Sequence, residues 1–196
     1  MQVKFTQNME KTLESAINAC QKGQLEQFAV IYDSYVKKIY DFLFYRLRHK
    51  ETAEDLTSAV FMKALEKIQS YNQQKSAFNT WLYTIARNTL FDHFRSHKDQ
   101  SPIDEALEHS SNQNVSKEVG LKMELQKVEQ LLNKLDAEQR DLVVMRVWDG
   151  LSFKEIAEIL GKTEAASKMQ FGRTLKLLQA QVPMALLYLL LVKPTT

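Results

Sequence analysis

The chain has 196 residues, a formal net charge of +2 and 44% apolar residues, enough to bury a small core in each of one or two domains. So mild a charge excludes any inference of nucleic-acid binding from bulk electrostatics, so such binding must be argued from where the basic residues sit. A lone Cys20 excludes an internal disulfide framework, and His49, His93, His97 and His109 lack the spacing of metal ligands, so neither a metal nor another cofactor is expected.

Glycine and proline are few, helix formers are abundant, and no stretch alternates with period two between hairpin turns, which predicts an all-α protein. The first residues, MQVKFTQNMEKTLES, have no apolar run of signal-peptide length, so a reducing cytoplasm is the expected compartment. From Leu25 to Leu47, Phe28, Ile31, Tyr35, Ile39, Phe42 and Leu47 recur at steps of three and four and predict one long amphipathic helix. Thr52 stands before a second helix, whose stripe is Ala53, Leu56, Val60, Phe61, Ala64, Leu65 and Ile68. Ser70 to Thr80 is polar and predicts a loop. A third helix follows from Trp81 to about His97.

Residues 99–116 contain Pro102, several Ser and Asn, the acids Asp99, Asp104, Glu105 and Glu108, and no Lys or Arg; this is an acidic flexible linker. A second helical block opens near Lys117 with Val119, Leu121, Leu125, Val128 and Leu132. Asp136 and Gln139 form a capping box for the next helix, which ends at Asp149-Gly150. Ser152 and Glu155 form another, Gly161 stops that short helix, and Thr163 caps a last helix running to about Gln181. Two helices joined by a short glycine-containing turn are the helix-turn-helix pattern of DNA-binding proteins. With Ser167, Phe171, Thr174 or Leu175, and Leu178 turned inward, the opposite face carries Ala165, Lys168, Met169, Gly172, Arg173 and Lys176, with Gln170 at its margin. Lys168, Arg173 and Lys176 suit phosphates or guanine edges, Gln170 suits adenine, and Ala165 and Met169 suit thymine methyls.

Between Phe78 and Lys98, aromatic residues interleave with Arg87, Asn88, His93, Arg95 and Lys98, a composition that suits stacked single-stranded bases and their backbone. Trp81, Leu82 and Ile85 also fit a plain core-packing role.

The strings AEDLTSAVFMKAL (Ala53 to Leu65) and WLYTIARNTLFDHFR (Trp81 to Arg95), with the helix-turn-helix after an acidic linker, resemble extracytoplasmic-function sigma factors over roughly Leu25 to Gln179. The resemblance implies a promoter-melting domain at 1–98, a linker at 99–116, a minus-thirty-five-binding domain at 117–181 and an apolar tail at 182–196. It further implies that core RNA polymerase contacts Asp55, Leu56, Ser58, Phe61 and Met62. The minus-ten element would be read and opened by Asn72, Gln73, Gln74, Asn79, Arg87, Asn88, Asp92 and Arg95, and promoter duplex by the outward face of the last helix. Capture of one flipped base costs a few kcal/mol and needs polar edge contacts, which Asn72, Gln73, Gln74 and Asn79 supply. Ser58-Ala59, Ser167 and Gln170 depart from common family residues: Gln-Glu or similar, a β-branched aliphatic and a second basic residue.

An anti-sigma factor is a possible further partner, and no catalytic constellation can be assembled from the histidines and surface acids. The alternative reading is a helix-turn-helix regulator whose N-terminal domain senses a ligand or binds a partner. That reading leaves the AEDLTSAVF and IARNTLFDHFR strings unexplained. The tail Val182 to Val192, eleven residues without a charge, is shorter than the ~20 apolar residues that span a bilayer and must be buried somewhere. Its candidate sites are the back of the second domain, a partner protein, or the first domain as a clasp.

Overall fold

The computed structural model describes residues 2–97 and 134–179; the expected linker, the helix opening near Lys117 and the apolar tail lie outside these residues. Among the described residues the chain is helical throughout, as its composition predicts. The first domain holds α1 (Gln2–Gln21), α2 (Phe28–Leu47), α3 (Lys50–Lys67) and α4 (Phe78–His97), with short 3-10 turns at Leu25–Gln27 and Ile68–Ser70. The second contains α5 (Ala137–Val143), a π-turn at Val144–Trp148, α6 (Phe153–Leu160) and α7 (Glu164–Gln179).

The expected stripe of α2 is the buried one: Phe28, Ile31, Tyr35, Ile39 and Phe42 face the core, joined by Leu43. The helix begins at Phe28 and not at Leu25, because Leu25–Gln27 tightens into a 3-10 turn. It ends where Arg48 adopts φ 57°, a left-handed conformation that lets its amide close on the Phe44 carbonyl at 2.9 Å. α3 starts earlier than Thr52 suggests, because the ring of His49 accepts from the Thr52 amide and takes the capping position. α1 has no counterpart among the expected helices. Leu13, Ala16, Ile17 and Cys20 make a narrow stripe packed against α2 and the Ile68–Ser70 turn.

In the second domain both predicted capping boxes form, Asp136 with Gln139 and Ser152 with Glu155, and Gly161 takes φ 67° at the end of α6. Thr163 Oγ1 accepts from the Ala166 amide and caps α7. Leu142, Val144, Met145, Leu151, Ile156, Ile159 and Leu160 bury their side chains in the same core as α2, α3 and α4, while Leu135, Val143 and Leu178 form a small separate cluster. Thus the apolar side of α5 and α6 rests on the first domain.

Of the alternatives Thr174 and Leu175, Thr174 is the fully buried one, its hydroxyl donating to the Gln170 carbonyl at 3.0 Å. Ser167 is also fully buried, and its hydroxyl has no hydrogen-bond partner. An orphaned buried hydroxyl costs about 1 kcal/mol or more, so Ser167→Ala should raise the melting temperature by roughly 2–4 °C. Calorimetry of the two chains checks this, and a lower midpoint for the alanine variant would show that the hydroxyl is satisfied.

Candidate nucleic-acid interface

Three surfaces carry the residues singled out from the sequence. On α3, Asp55, Ser58 and Met62 are exposed, Met62 to 58%, and Leu56 is half-buried. Phe61 is 4% exposed and packs its ring against Phe28 and Tyr32 at centroid distances of 6.4 and 4.8 Å, so it supports this face from beneath. Tyr32, which sequence reasoning did not single out, is 42% exposed beside it. Its position at an i+4 step from Phe28 placed it nominally at the edge of the α2 stripe, a signal too weak to separate core from surface.

The second surface is the loop before α4 and the outer face of α4. Asn72 Oδ1 accepts from the Gln74 amide at 2.8 Å, the Tyr71 hydroxyl donates to the Ser76 carbonyl at 3.1 Å, and Gln21 Nε2 donates to the Tyr71 carbonyl at 2.6 Å. Tyr71, Phe78 and Trp81 form an aromatic triad, each pair of centroids 5.2 Å apart, so Trp81 braces the loop. Gln73 donates to Glu14 at 3.2 Å, and the Gln74 side chain is exposed. Asn79 Oδ1 accepts from the Thr80 amide at 2.7 Å while its Nδ2 donates to Glu155 of the second domain at 2.8 Å.

Along α4, Asn88 is exposed and Arg87 lies 4.6 Å over the Phe91 ring. Asp92 pairs with Arg95 in a close contact and with Lys63 at 3.8 Å, and Lys63 also donates to Thr89 at 3.1 Å. Phe91 and Phe94 are each 40% exposed. Two half-exposed rings beside Arg87 and Arg95 are the arrangement in which bases stack while cations follow the backbone.

The third surface belongs to α7. Ala165, Lys168, Met169, Arg173 and Lys176 are exposed on its outward side, Met169 to 56%, while Lys168 is paired with Glu164 at 2.6 Å. Gln170 Oε1 accepts from Lys162 at 3.1 Å, and Lys162 also meets Glu138. With its carbonyl so occupied, Gln170 presents its amide donors, a simpler reading group than the bidentate partner of adenine expected from the sequence.

Electrostatically, the contacts between the domains stand apart. Arg46 Nη1 reaches Asp141 Oδ1 at 2.7 Å, with side chains 6% and 3% exposed, and donates to the Ala137 carbonyl at 2.6 Å. Burial pushes the Asp141 carboxyl up to about 6, against the downward pull of Arg46, Arg87 and Arg140. Burial also raises Glu155, but its bonds from Ser152 and Asn79 outweigh it and hold the carboxyl below its ordinary range. The Tyr83 hydroxyl is raised by burial and then by Asp149. Among the described residues no cluster of His, Cys, Asp and Glu could hold a metal ion, and no helix is long and apolar enough to cross a membrane.

A helical domain with a braced polar loop and a basic, aromatic helix, followed by a capped helix-turn-helix, defines a two-domain nucleic-acid-binding protein. The families described as Sigma-70 region 2 and Sigma-70, region 4 match residues 31–100 and 125–178. The ECF RNA polymerase sigma factor BldN of Streptomyces coelicolor is 32% identical over 85% of this chain and 64% of its own length. The RNA polymerase sigma factor YlaC of Bacillus subtilis is 32% identical over 67% of this chain and 78% of its own, and the ECF sigma factor SigM of the same organism is 30% identical over 76% and 91%. In fold the chain is similar to CnrH in complex with the cytosolic domain of CnrY (TM-score 0.66, 19% identity, 86% of this chain and 96% of that one). It is also similar to RpoE of Bartonella quintana in complex with the anti-sigma factor NepR (TM-score 0.61, 24% identity, 83% and 98%). The chain belongs to the extracytoplasmic-function sigma factors of RNA polymerase.

Proposed function

We propose that this chain binds core RNA polymerase in the cytoplasm and directs promoter-specific initiation, reading promoter DNA and opening it without contributing a catalytic group. The carrying observation is that one chain bears two nucleic-acid faces of different chemistry. The loop and α4 present polar amides, half-exposed rings and arginines suited to unpaired bases, whereas α7 presents a cationic helix face suited to the major groove. Residues 1–98 and 117–181 would be the melting and duplex-reading domains, 99–116 their linker and 182–196 an apolar tail. Asp55, Leu56, Ser58 and Met62 would meet polymerase, with Phe61 beneath. An anti-sigma factor remains a partner of the kind two relatives in fold are seen with.

Run-off transcription with core enzyme on genomic DNA, followed by start-site mapping, tests this reading and yields the promoter. A chain that fails to co-purify with core but binds duplex tightly by itself would be a helix-turn-helix regulator instead, since a net charge of +2 and few phosphate contacts per domain predict weak binding by the free protein. On the mapped promoter, Gln74→Ala and Asn88→Ala should lower permanganate reactivity of the opened thymines while closed-complex formation persists. Arg173→Ala should weaken closed-complex formation by roughly tenfold, the loss of about one base or phosphate contact. Normal opening by both loop and α4 variants would remove these residues from the melting role.

A further inference from the structure

The two nucleic-acid faces are not equally available. Lys168, Met169, Arg173 and Lys176 on α7 are exposed, but the second domain lies on the face that would take unpaired bases. Asn79 gives its amide hydrogen to the Glu155 carboxylate at 2.8 Å. Arg46, whose guanidinium lies 6.0 Å from the Phe94 ring, is bound by the Asp141 carboxylate at 2.7 Å and almost wholly buried. Arg87 of α4 lies near enough for its charge to act on the same carboxyl. Tyr45 stacks on Trp148 at 5.2 Å, and Asp149 lies beside the Tyr83 hydroxyl. Between the loop and α6 a cleft of about 430 Å³ remains, lined by Gln73, Gln74 and Ser76 on one side and Ser152, Lys154 and Glu158 on the other.

Carboxylate oxygens are anionic acceptors, as phosphate oxygens are, and they accept from an amide as a base carbonyl does. A strand reaching Asn79 must therefore displace Glu155, and a phosphate reaching Arg46 must displace Asp141. Resting on the promoter-opening role proposed above, we infer that the α5–α6 edge of the second domain is an internal competitor of the opened DNA strand, with Asp141 and Glu155 holding Arg46 and Asn79 until the domains part. The exposed α7 face can engage duplex before that separation, so duplex reading precedes strand capture. Arg46, freed of Asp141, then adds a cation beside Phe94 to the strand-binding surface. This residue carried no role in the sequence reading.

The test is a reversible lock placed away from both DNA faces. Tyr45→Cys and Trp148→Cys are introduced together and joined by a thiol-cleavable bismaleimide, while native Cys20 is fully buried and escapes the reagent. The linked chain is mixed with core polymerase and the mapped promoter, and permanganate reactivity is compared before and after the link is cut. Expected are efficient linking in the free chain and a loss of opening of roughly tenfold or more that cleavage restores, since a state held closed reduces the competent fraction accordingly. Because the same molecules recover, a folding defect cannot mimic the result. Equal opening by linked and cleaved chains, or a free chain that does not link, would overturn the inference. A cleaved chain that opens no promoter, with the unmodified protein equally inactive, would instead overturn the proposed function on which it rests.

Discussion

Replacing Phe61 by alanine should lower the melting temperature by roughly 10 °C, whereas replacing its neighbour Met62 should leave stability within about 0.5 kcal/mol and weaken binding to core polymerase. The two residues are adjacent on α3 but face opposite environments. Phe61 is 4% exposed and fills the space between Phe28 and Tyr32, so its removal deletes a ring and leaves a cavity worth about 3–5 kcal/mol. Met62 is 58% exposed, so truncating it costs no core contact, but an apolar side chain at the centre of a contact surface is worth about 1–2 kcal/mol to a partner. Thermal unfolding and a core-binding titration on both variants measure the split. Unchanged core affinity in Met62→Ala would remove this face of α3 from the polymerase contact. A stable Phe61→Ala chain that no longer binds core would place the ring itself at the interface.

The largest electrostatic effect should follow from Arg46→Met. Removing one partner of a buried pair leaves the other charge uncompensated, at a cost of about 3–5 kcal/mol near neutral pH unless the domains part and rehydrate Asp141. The double variant Arg46→Met with Asp141→Leu should regain most of that loss, because apolar groups of similar size replace buried ion pairs well. pH reports on the same pair. Asp141 is held at about 6 against an ordinary 3.8, through burial first, so the folded chain keeps its proton more tightly than the unfolded one. For an acid shifted in that direction, the stabilising contribution is complete below about 4 and is lost as pH rises through about 6. Wild type should therefore gain about 1 kcal/mol between pH 7 and pH 5 relative to Asp141→Asn, which lacks the titrating group. Arg46, Arg48, Arg87 and Arg140 all bear on this region, and Asp141 is the acid among them. Parallel pH profiles of the two chains would show that the carboxyl titrates as an ordinary surface group.

Legibility from sequence varied with the range of the interactions involved. The stripe of α2, both capping boxes, the glycine turn and the outward face of α7 were readable because each depends on residues within about one or two helical turns of one another. The polar loop and the basic, aromatic stretch were readable as compositions, and the exposed Gln74, Asn88 and Arg95 agree with that placement. Phe61 and Met62 could not be sorted, since both lie close to the boundary of one stripe and only the neighbouring α2 decides which is covered. Gln170 looked like a bidentate reader of adenine until Lys162, eight positions away across the turn, took its carbonyl.

By itself, then, the sequence determined the helical class, the helix-turn-helix with its caps, and the residue chemistry of two nucleic-acid faces, because periodicity and capping are local and need no partner element. Tertiary structure alone decided that α1 braces the loop through Gln21, that the apolar side of α5 and α6 lies on the first domain, and that Arg46 meets Asp141 and Asn79 meets Glu155. These contacts join residues 47 to 95 positions apart, and the two across the domain boundary depend on burial that removes water from both partners. No local pattern announces such a pairing, since an arginine closing one helix and an aspartate opening another read equally well as solvated surface until the fold brings them together.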